Sequence, residues 1–246
     1  MGICKLCGEE KPLIKKSHII SDFLHSDLYD EGHRLVKFHP SELLKDVPRI
    51  SRPPSATYQG GILCKKCEDH IGTFETYISD LLKDELPIES KLLCNLIDEE
   101  IIEITNLNYS KTKLFLLSLL WRTSISDRPD FENVKLGPYE EKIRLQILEG
   151  TASKEDDIRI AIFRLNKDEI SNFIGSPLRH RDQQTSYYSM IILGYVILFL
   201  LKETKLSESW RPHSLLENGN LYLFEMPKNK VKRFVAGYHG LLKKRG

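Results

Sequence analysis

Two cysteine pairs in this chain have the spacing of metal ligands. Cys4 and Cys7 lie near its start, and Cys64 and Cys67 repeat the same two-residue spacer further along. The spacer lets both sulfurs of a pair face one ion, and two such pairs supply the four ligands of a tetrahedral zinc site. Because four thiolates fill the coordination shell and leave no position for water, the sequence predicts a structural zinc ion.

A structural zinc ion does not take part in catalysis, so any catalytic residues must be found among the side chains that the ion positions. His18 follows the first cysteine pair, and Glu68 follows the last cysteine directly. A neutral imidazole can take a proton from water near pH 7, and a carboxylate oxygen is a suitable ligand for Mg²⁺ or Mn²⁺. We therefore predict that His18 is a general base and Glu68 a ligand of a catalytic cation, the minimum for phosphodiester hydrolysis. The alternative is a zinc knuckle that only stabilises a fold or binds a partner.

The residues after Cys67 predict a helix, and its geometry narrows the choice of ligands. At about 100° per residue, Glu68 and Glu75 share one face, whereas His70 points almost opposite to Glu68. We therefore predict Glu75 as a second ligand; the alternative is an exposed charge on an amphipathic helix. Gly72 lies between the two glutamates and costs about 1 kcal/mol relative to alanine, which a close approach of backbone or substrate would explain.

Four segments of the first third carry a resemblance to a known family. They are Cys4/Cys7, Ser17-His18-Ile19-Ile20-Ser21, Gln59-Gly60-Gly61 and Leu63-Cys64-Lys65-Lys66-Cys67-Glu68. At these residues the chain resembles the HNH endonucleases of the ββα-metal (His-Me finger) superfamily, over about residues 1–82.

The resemblance implies a role for three residues and an activity for the protein. It implies that His18 is the general base, that Glu68 binds the catalytic Mg²⁺ or Mn²⁺, and that the Gln59 amide orients the histidine. It also implies an endonuclease that acts on nucleic acid, DNA rather than RNA, in the manner of small nucleases that serve bacterial defence against phage. Ser17 stands where many relatives have a metal-binding aspartate, and Glu68 replaces their final histidine. The alternative is a non-catalytic, zinc-stabilised module that binds nucleic acid or protein.

The predicted fold class is α+β. Residues 1–86 are predicted to form an HNH-like, zinc-stabilised ββα-metal module, and residues 87–246 a mixed helical and strand region for target recognition or partner docking. Helices are predicted over 22–29, from Cys64 to before Pro87, and over 111–125 and 139–148. Strands are predicted over 13–20, 33–39, 157–165, 190–201 and 221–224, with a loop over 40–61. Arg122 is interpreted as either a phosphate contact or a salt bridge that closes a helix end.

Composition limits the partners. The net charge of +1 gives no global sign of a nucleic-acid partner, although residues 228–246 carry seven basic residues and no acid. The longest apolar run, 187–201, is shorter than the roughly 20 residues of a membrane helix, so no membrane partner is predicted. With no visible signal peptide, the cysteine spacing favours a metal in the reducing cytoplasm over disulfides. Nucleic acid is the predicted partner, with a protein partner or a second copy of the chain as further alternatives.

Overall fold

The computed structural model has a mixed α+β architecture. It describes residues 1–28, 37–38, 50–51, 57–83, 85–96, 99–165, 174–181, 186–202 and 208–226. The basic segment 228–246 lies outside these residues, as do most of the strand predicted over 33–39 and most of the loop predicted over 40–61. Among the described helices, none has both the length and the apolar character needed to cross a bilayer.

Short antiparallel strand pairs make up the beginning of the chain. β1 (Gly2–Ile3) pairs with β2 (Glu10–Lys11), β3 (Ser17–His18) with β6 (Tyr58–Gln59), and β4 (Lys37–Phe38) with β5 (Ile50–Ser51). The strand predicted over 13–20 is therefore limited to two residues at β3, with one further bridge between Leu13 and Cys64. A 3-10 helix, Asp22–Leu28, occupies most of the helix predicted over 22–29.

Three α-helices follow, close to their predicted positions. α1 (Lys65–Leu82) buries Cys67, Ile71, Phe74 and Ile78, which recur at steps of three and four residues and form one apolar face. α2 (Tyr109–Ile125) is capped by the Asn108 side chain, which accepts a hydrogen bond of 2.9 Å from the Lys111 amide. α3 (Pro138–Glu149) ends at Gly150, which has a left-handed conformation with φ of 67°.

α2 is the central helix of the described structure. Every residue from 112 to 124 is buried, and α2 packs against α1 and against α3. A helix that is covered on several sides carries apolar residues around most of its circumference, and the run from Leu114 to Trp121 fits this requirement. Six polar or charged residues of α2 are nevertheless buried: Thr112, Lys113, Ser118, Arg122, Thr123 and Ser124.

A seven-stranded sheet is the largest sheet of the described chain. Its strands are β7 (Glu89–Leu96), β8 (Glu99–Thr105), β9 (Arg159–Leu165), β10 (Leu178–Arg181), β11 (Ser186–Ile192), β12 (Tyr195–Leu200) and β13 (Leu221–Met226). Their order is β10-β11-β12-β9-β13-β8-β7, and every neighbouring pair is antiparallel except β9 and β13.

The prediction of a single strand over residues 190–201 is wrong. The chain instead folds back at Leu193 and Gly194 into the hairpin β11–β12, and both residues have positive φ, 48° and 83°. Two consecutive positive φ values are typical of the tight turn that matches the twist of a hairpin. The apolar run on both sides of Gly194 concealed this turn, because both strands are buried.

The two predicted regions share one hydrophobic core. A continuous cluster of buried side chains includes Leu6 and Ile19 from the first region, Leu117 from α2, and Tyr188 and Phe199 from the sheet. The division of the chain at residues 86 and 87 stays a prediction, and the packing between the regions passes through α2.

Candidate metal centre and adjoining polar cluster

Cys4, Cys7, Cys64 and Cys67 form a compact cluster that could hold a metal ion such as zinc. Their sulfur atoms all lie within 4.8 Å of one another. A tetrahedral zinc ion with bonds of about 2.3 Å places its sulfur ligands about 3.8 Å apart, so this spacing fits with a small contraction. All four thiols are free, and Cys4, Cys64 and Cys67 are buried.

Backbone hydrogen bonds place these cysteines. In the turn between β1 and β2, the Gly8 amide donates to the Cys4 carbonyl at 2.9 Å, and Gly8 has a positive φ of 74°, which suits glycine. The Cys64 amide donates to the Cys4 sulfur at 3.3 Å. Cys64 is the N-cap residue of α1, so a metal in the cluster would fix the first turn of that helix.

The pKa values of Cys4 and Cys67 are shifted in opposite directions. Burial tends to raise the pKa of Cys4, but hydrogen bonds from the backbone of Cys7, Cys64 and Leu6 lower it to about 7. Burial and the neighbouring sulfurs of Cys64 and Cys4 raise the pKa of Cys67 instead. A divalent cation would supply the positive charge that four crowded thiolates need.

Glu68 lies in the first turn of α1 and faces β3. The hydroxyl of Ser17 donates to its Oε2 at 2.7 Å, across fifty-one residues of sequence. Burial raises the pKa of the Glu68 carboxyl; the Ser17 hydrogen bond, the Arg122 guanidinium and the nearby His18 imidazole act against this rise, whereas the charge of Glu75 adds to it. The structure therefore brings Ser17, His18, Glu68 and Glu75 into one electrostatic neighbourhood.

The His18 ring is partly accessible to solvent. Its side chain is 35% exposed, and its Nε2 lies 3.8 Å from Oδ1 of Asp22. His18 pairs with Tyr58 across the β3–β6 ladder, and the Lys16 ammonium lies 5.1 Å from the centre of the Tyr58 ring. The ring of His18 is thus accompanied by one carboxylate and by an aromatic residue with a cation above it.

Arg122 of α2 connects the parts of this cluster. Its Nη1 donates to the His18 carbonyl at 2.7 Å, and its Nη2 donates to Glu75 Oε1 at 2.8 Å and to the Ser21 hydroxyl at 3.1 Å. The Ser21 hydroxyl in turn donates to Glu75 Oε1 at 2.6 Å. Arg122 is 1% exposed and Glu75 24%, so their ion pair is largely removed from water.

The side chain of Gln59 contacts the end of α2. Its backbone pairs with Ser17, but its Oε1 accepts from the Ser126 hydroxyl at 2.7 Å and from the Asp127 amide at 3.1 Å. Its Nε2 donates to Asp127 Oδ2 at 3.2 Å. These bonds connect β6 to the segment after α2. The predicted role of Gln59 in orienting His18 stays a prediction.

His70 and Gly72 face different surroundings from Glu68. His70 Nε2 lies 2.6 Å from the Ile147 carbonyl at the end of α3, consistent with the prediction that it points away from Glu68. A methyl group at Gly72 would meet no atom of the described residues within 4 Å, so no described backbone approaches it. With respect to the described residues, the space over this part of α1 is therefore open.

A cavity of about 350 Å³ lies elsewhere, between the end of α2 and the start of α3. Its walls include Lys5, Ser124, Asp127, Glu140 and Arg144, and it does not include His18, Glu68 or Glu75. Several of these groups already have partners: Ser124 donates to Glu140 at 3.0 Å, and Gln59 donates to Asp127. The cavity is thus adjacent to β6 and separate from the cluster around His18.

Two contributors to the cluster were not identified from the sequence. Ser21 and Asp22 lie three and four residues after His18, but their residue types did not distinguish them from helix-capping residues. Arg122 offered a clearer signal, since it is a cation within an apolar helix and such a residue must find buried partners.

No family model, curated protein or solved structure matches this chain, so a function is inferred from the geometry of the site.

Proposed function

We propose that this protein is a metal-dependent endonuclease of the HNH type that hydrolyses phosphodiester bonds in nucleic acid, with DNA as the substrate. The observation that supports this most is the hydrogen bond between Ser17 and Glu68. It joins the residue before the proposed base to the first turn of the helix that carries the proposed metal ligand. In this proposal β3, β6 and α1 form the ββα-metal module.

The zinc ion has a structural role in the proposal. Cys4, Cys7, Cys64 and Cys67 hold it, and because Glu68 follows Cys67 directly, the ion fixes the position of the Glu68 backbone. Zinc sites with four cysteine ligands are coordinatively closed, so a second cation is needed for catalysis.

Glu68 is the proposed ligand of a catalytic Mg²⁺ or Mn²⁺, which would stabilise the charge on the phosphate and on the leaving oxygen. Mg²⁺ is commonly held by one or two carboxylates together with water and substrate phosphates, so one half-buried glutamate is sufficient as a protein ligand. Glu75 is the second proposed ligand. Its Oε1 already accepts from Ser21 and Arg122, so it would reach the ion through Oε2 or a bridging water.

His18 is the proposed general base. Its Nε2 lies 3.8 Å from Oδ1 of Asp22, and in the proposal Nε2 carries the ring proton while Nδ1 accepts a proton from water. The water oxygen attacks the phosphorus, its proton passes to Nδ1, and the bond between phosphorus and the leaving oxygen breaks. The partial exposure of the ring supports access by a polymer substrate.

Lys16 and Tyr58 support nucleic acid as the substrate. The ammonium of Lys16 lies over the Tyr58 ring, and Tyr58 is the cross-strand neighbour of His18. A cation can neutralise a phosphate, and an aromatic ring can stack on an unpaired base. The net charge of +1 for the whole chain means that such attraction would be local.

Supercoiled plasmid DNA and the zinc-loaded protein test the proposal. We expect nicking with Mg²⁺ or Mn²⁺, and a loss of about 100-fold or more in the His18→Ala and Glu68→Gln variants, the usual cost of losing a general base. Asp69→Asn is the matched control for Glu68→Gln, because Asp69 is the next residue of α1 and its side chain is 57% exposed. Each variant should retain one zinc ion per chain. Absence of cleavage of both DNA and RNA by zinc-loaded wild type would contradict the proposal.

The alternative function is a zinc-stabilised module that binds nucleic acid or protein without cleaving it. Ser17 favours it, because serine stands where a second carboxylate would bind the cation, and Glu75 is already paired with Arg122. Binding of Mn²⁺ to the zinc-loaded protein separates the two functions. A nuclease requires a second cation that is lost in Glu68→Gln, and a binding module does not.

A further inference from the structure

Arg122 belongs to the region beyond the predicted nuclease module, yet its guanidinium contacts that module. We propose that Arg122 is a positioning residue for the site of His18 and Glu68, an inference that rests on the proposed function. The bonds from Nη1 and Nη2 reach the His18 carbonyl, the Ser21 hydroxyl and the Glu75 carboxylate. One side chain thus joins β3, the start of the 3-10 helix and α1.

The planar guanidinium suits this task. Nη1 serves the backbone of His18 while Nη2 serves Glu75 and Ser21, and Nε donates to the Ser118 carbonyl of its own helix at 3.3 Å. An arginine presents its donors in a fixed fork, so these bonds determine the direction of each partner as well as its distance. A lysine offers a single ammonium and cannot reproduce the fork.

The burial of Arg122 prevents its side chain from contacting the substrate directly. Arg122 is 1% exposed, so its guanidinium does not reach a phosphate at the surface. The interpretation of Arg122 as a phosphate contact is therefore wrong. Arg122 does form a salt bridge, but its partner is Glu75 in the middle of α1, so the pair joins two helices and does not close a helix end. Buried ion pairs are weak contributors to stability but can fix a unique arrangement of elements.

The bonds of Arg122 fix the distance between the proposed base, His18, and the proposed ligand, Glu68. His18 is held by its carbonyl and Glu75 by its carboxylate, and Glu68 lies on the same helix as Glu75. The relative position of β3 and α1 is thus determined by a residue of α2. A displacement of about 1 Å in such a site can lower a rate about 100-fold.

Lys113 provides a matched control for the test. It is a second buried cation of the same helix, also 1% exposed, but its ammonium donates to the carbonyls of Ser153, Lys154 and Asp157, away from β3 and α1. Arg122→Met and Lys113→Met each remove one buried cation from α2. Loss of stability alone would affect both variants alike.

The experiment compares wild type, Arg122→Met, Arg122→Lys and Lys113→Met as full-length, zinc-loaded chains. We expect Arg122→Met to lower kcat for plasmid nicking about 100-fold with KM nearly unchanged, Arg122→Lys to fall between it and wild type, and Lys113→Met to stay within about threefold of wild type at a temperature where all four are folded. The inference would be overturned if Arg122→Met kept the wild-type kcat, or if Lys113→Met lost as much kcat as Arg122→Met.

A second readout does not depend on cleavage. With ¹⁵N-labelled histidine, the ring resonances of His18 should shift in Arg122→Met and should match wild type in Lys113→Met. If wild type cleaves nothing, the proposed function fails, and the His18 resonances still decide whether Arg122 positions that residue. Unchanged His18 resonances in a folded Arg122→Met protein would also overturn the inference.

Discussion

The hydroxyl of Ser17 lies 2.7 Å from the carboxylate of Glu68, although the two residues are 51 positions apart in sequence. β3 carries Ser17, and α1 begins at the cluster and carries Glu68. Any side chain that replaces Ser17 will therefore face Glu68 directly, which makes position 17 a sensitive test of whether a cation binds there.

Ser17→Asp is expected to increase the affinity of the zinc-loaded protein for Mn²⁺ about tenfold, because it adds a second carboxylate beside Glu68. Without the cation, two adjacent carboxylates repel each other, so the variant should be less stable than wild type until Mn²⁺ is added. Electron paramagnetic resonance of free Mn²⁺ gives the affinity. Ser17→Asn, which has the same size without the charge, should show no increase; equal affinity in both variants would contradict a cation site at Glu68.

Gly72→Ala is expected to have opposite effects on stability and activity. A methyl group at this position meets no atom of the described part of the chain within 4 Å and removes the helical cost of glycine, so unfolding should require about 1 kcal/mol more. If the open face of α1 receives the substrate, nicking should fall. Thermal unfolding and plasmid nicking measure the two effects.

Thr73→Ala is the matched control for Gly72→Ala, since Thr73 is exposed, is the next residue in α1, and lies on another face of the helix. It should leave nicking unchanged. An unchanged nicking rate in Gly72→Ala would show that substrate does not approach this face.

Cys64→Ser is expected to abolish zinc binding and to unfold the beginning of the chain. Cys64 is a member of the cluster, and its side chain makes no capping hydrogen bond to α1, so the change acts through the loss of a zinc ligand. We expect a fall of about 10 °C or more in the melting temperature and less than one zinc ion per chain, measured by calorimetry and by elemental analysis.

Cys94→Ser serves as the control for Cys64→Ser, because Cys94 has no C-x-x-C partner in the sequence. It should retain its zinc. A Cys64→Ser protein with full zinc content would contradict the proposed four-cysteine site.

Lys113→Met is expected to lower the free energy of unfolding by about 2–4 kcal/mol. The ammonium donates to three backbone carbonyls and to the Tyr109 hydroxyl. Methionine would remove all four bonds; the Ser153 and Asp157 carbonyls would keep the Tyr109 and Ser153 hydroxyls as donors, but the Lys154 carbonyl would lose the ammonium. Urea unfolding measures the change. Lys111→Met, on the exposed side of the same helix, should change stability by less than about 0.5 kcal/mol.

His213→Phe is expected to reduce the sensitivity of the fold to acid. His213 packs against Phe163 and Phe224 with ring centres 4.6 and 4.1 Å away, and burial lowers its pKa. The unfolded chain, with an ordinary histidine pKa of about 6.5, therefore binds more protons than the folded chain, and stability falls as the pH drops below that value.

Phenylalanine does not titrate, so the stability of His213→Phe relative to wild type should rise as the pH falls from about 7.5 to 5.5, by up to about 1.4 kcal/mol per pH unit. Urea unfolding of both proteins at each pH gives the difference, in which zinc release common to both cancels. A constant difference across this range would contradict the effect.

The sequence predicted the helices better than the strands, for a physical reason. The apolar spacing in α1 marks one buried face, and its Cys64 start and the Pro87 beyond its end bound the helix. In β11 and β12 the side chains on both faces are buried, so the hairpin reads as one apolar run and the turn at Leu193 is concealed. The β7–β8 hairpin was also missed, since an acidic patch interrupts its alternation.

The candidate site was predictable only in part. Spacing identified the four cysteines, because a metal imposes its own geometry on sequence. The bonds from Ser17 to Glu68 and from Arg122 to His18 depend on tertiary packing across 51 and 104 residues, and no local pattern encodes them. Arg122 shows this limit well, since its burial could be inferred from its apolar neighbours but its partners could not.

The burial of α2 on several sides restricts how the protein can be divided. Transplanting residues 1–86 into a host protein as a minimal nuclease would expose the apolar faces of α1 that α2 covers, and would leave Glu75 and the His18 carbonyl without their common donor. A portable unit would need to extend at least through Ile125, and it would still need a substitute for the surface that α3 supplies to α2.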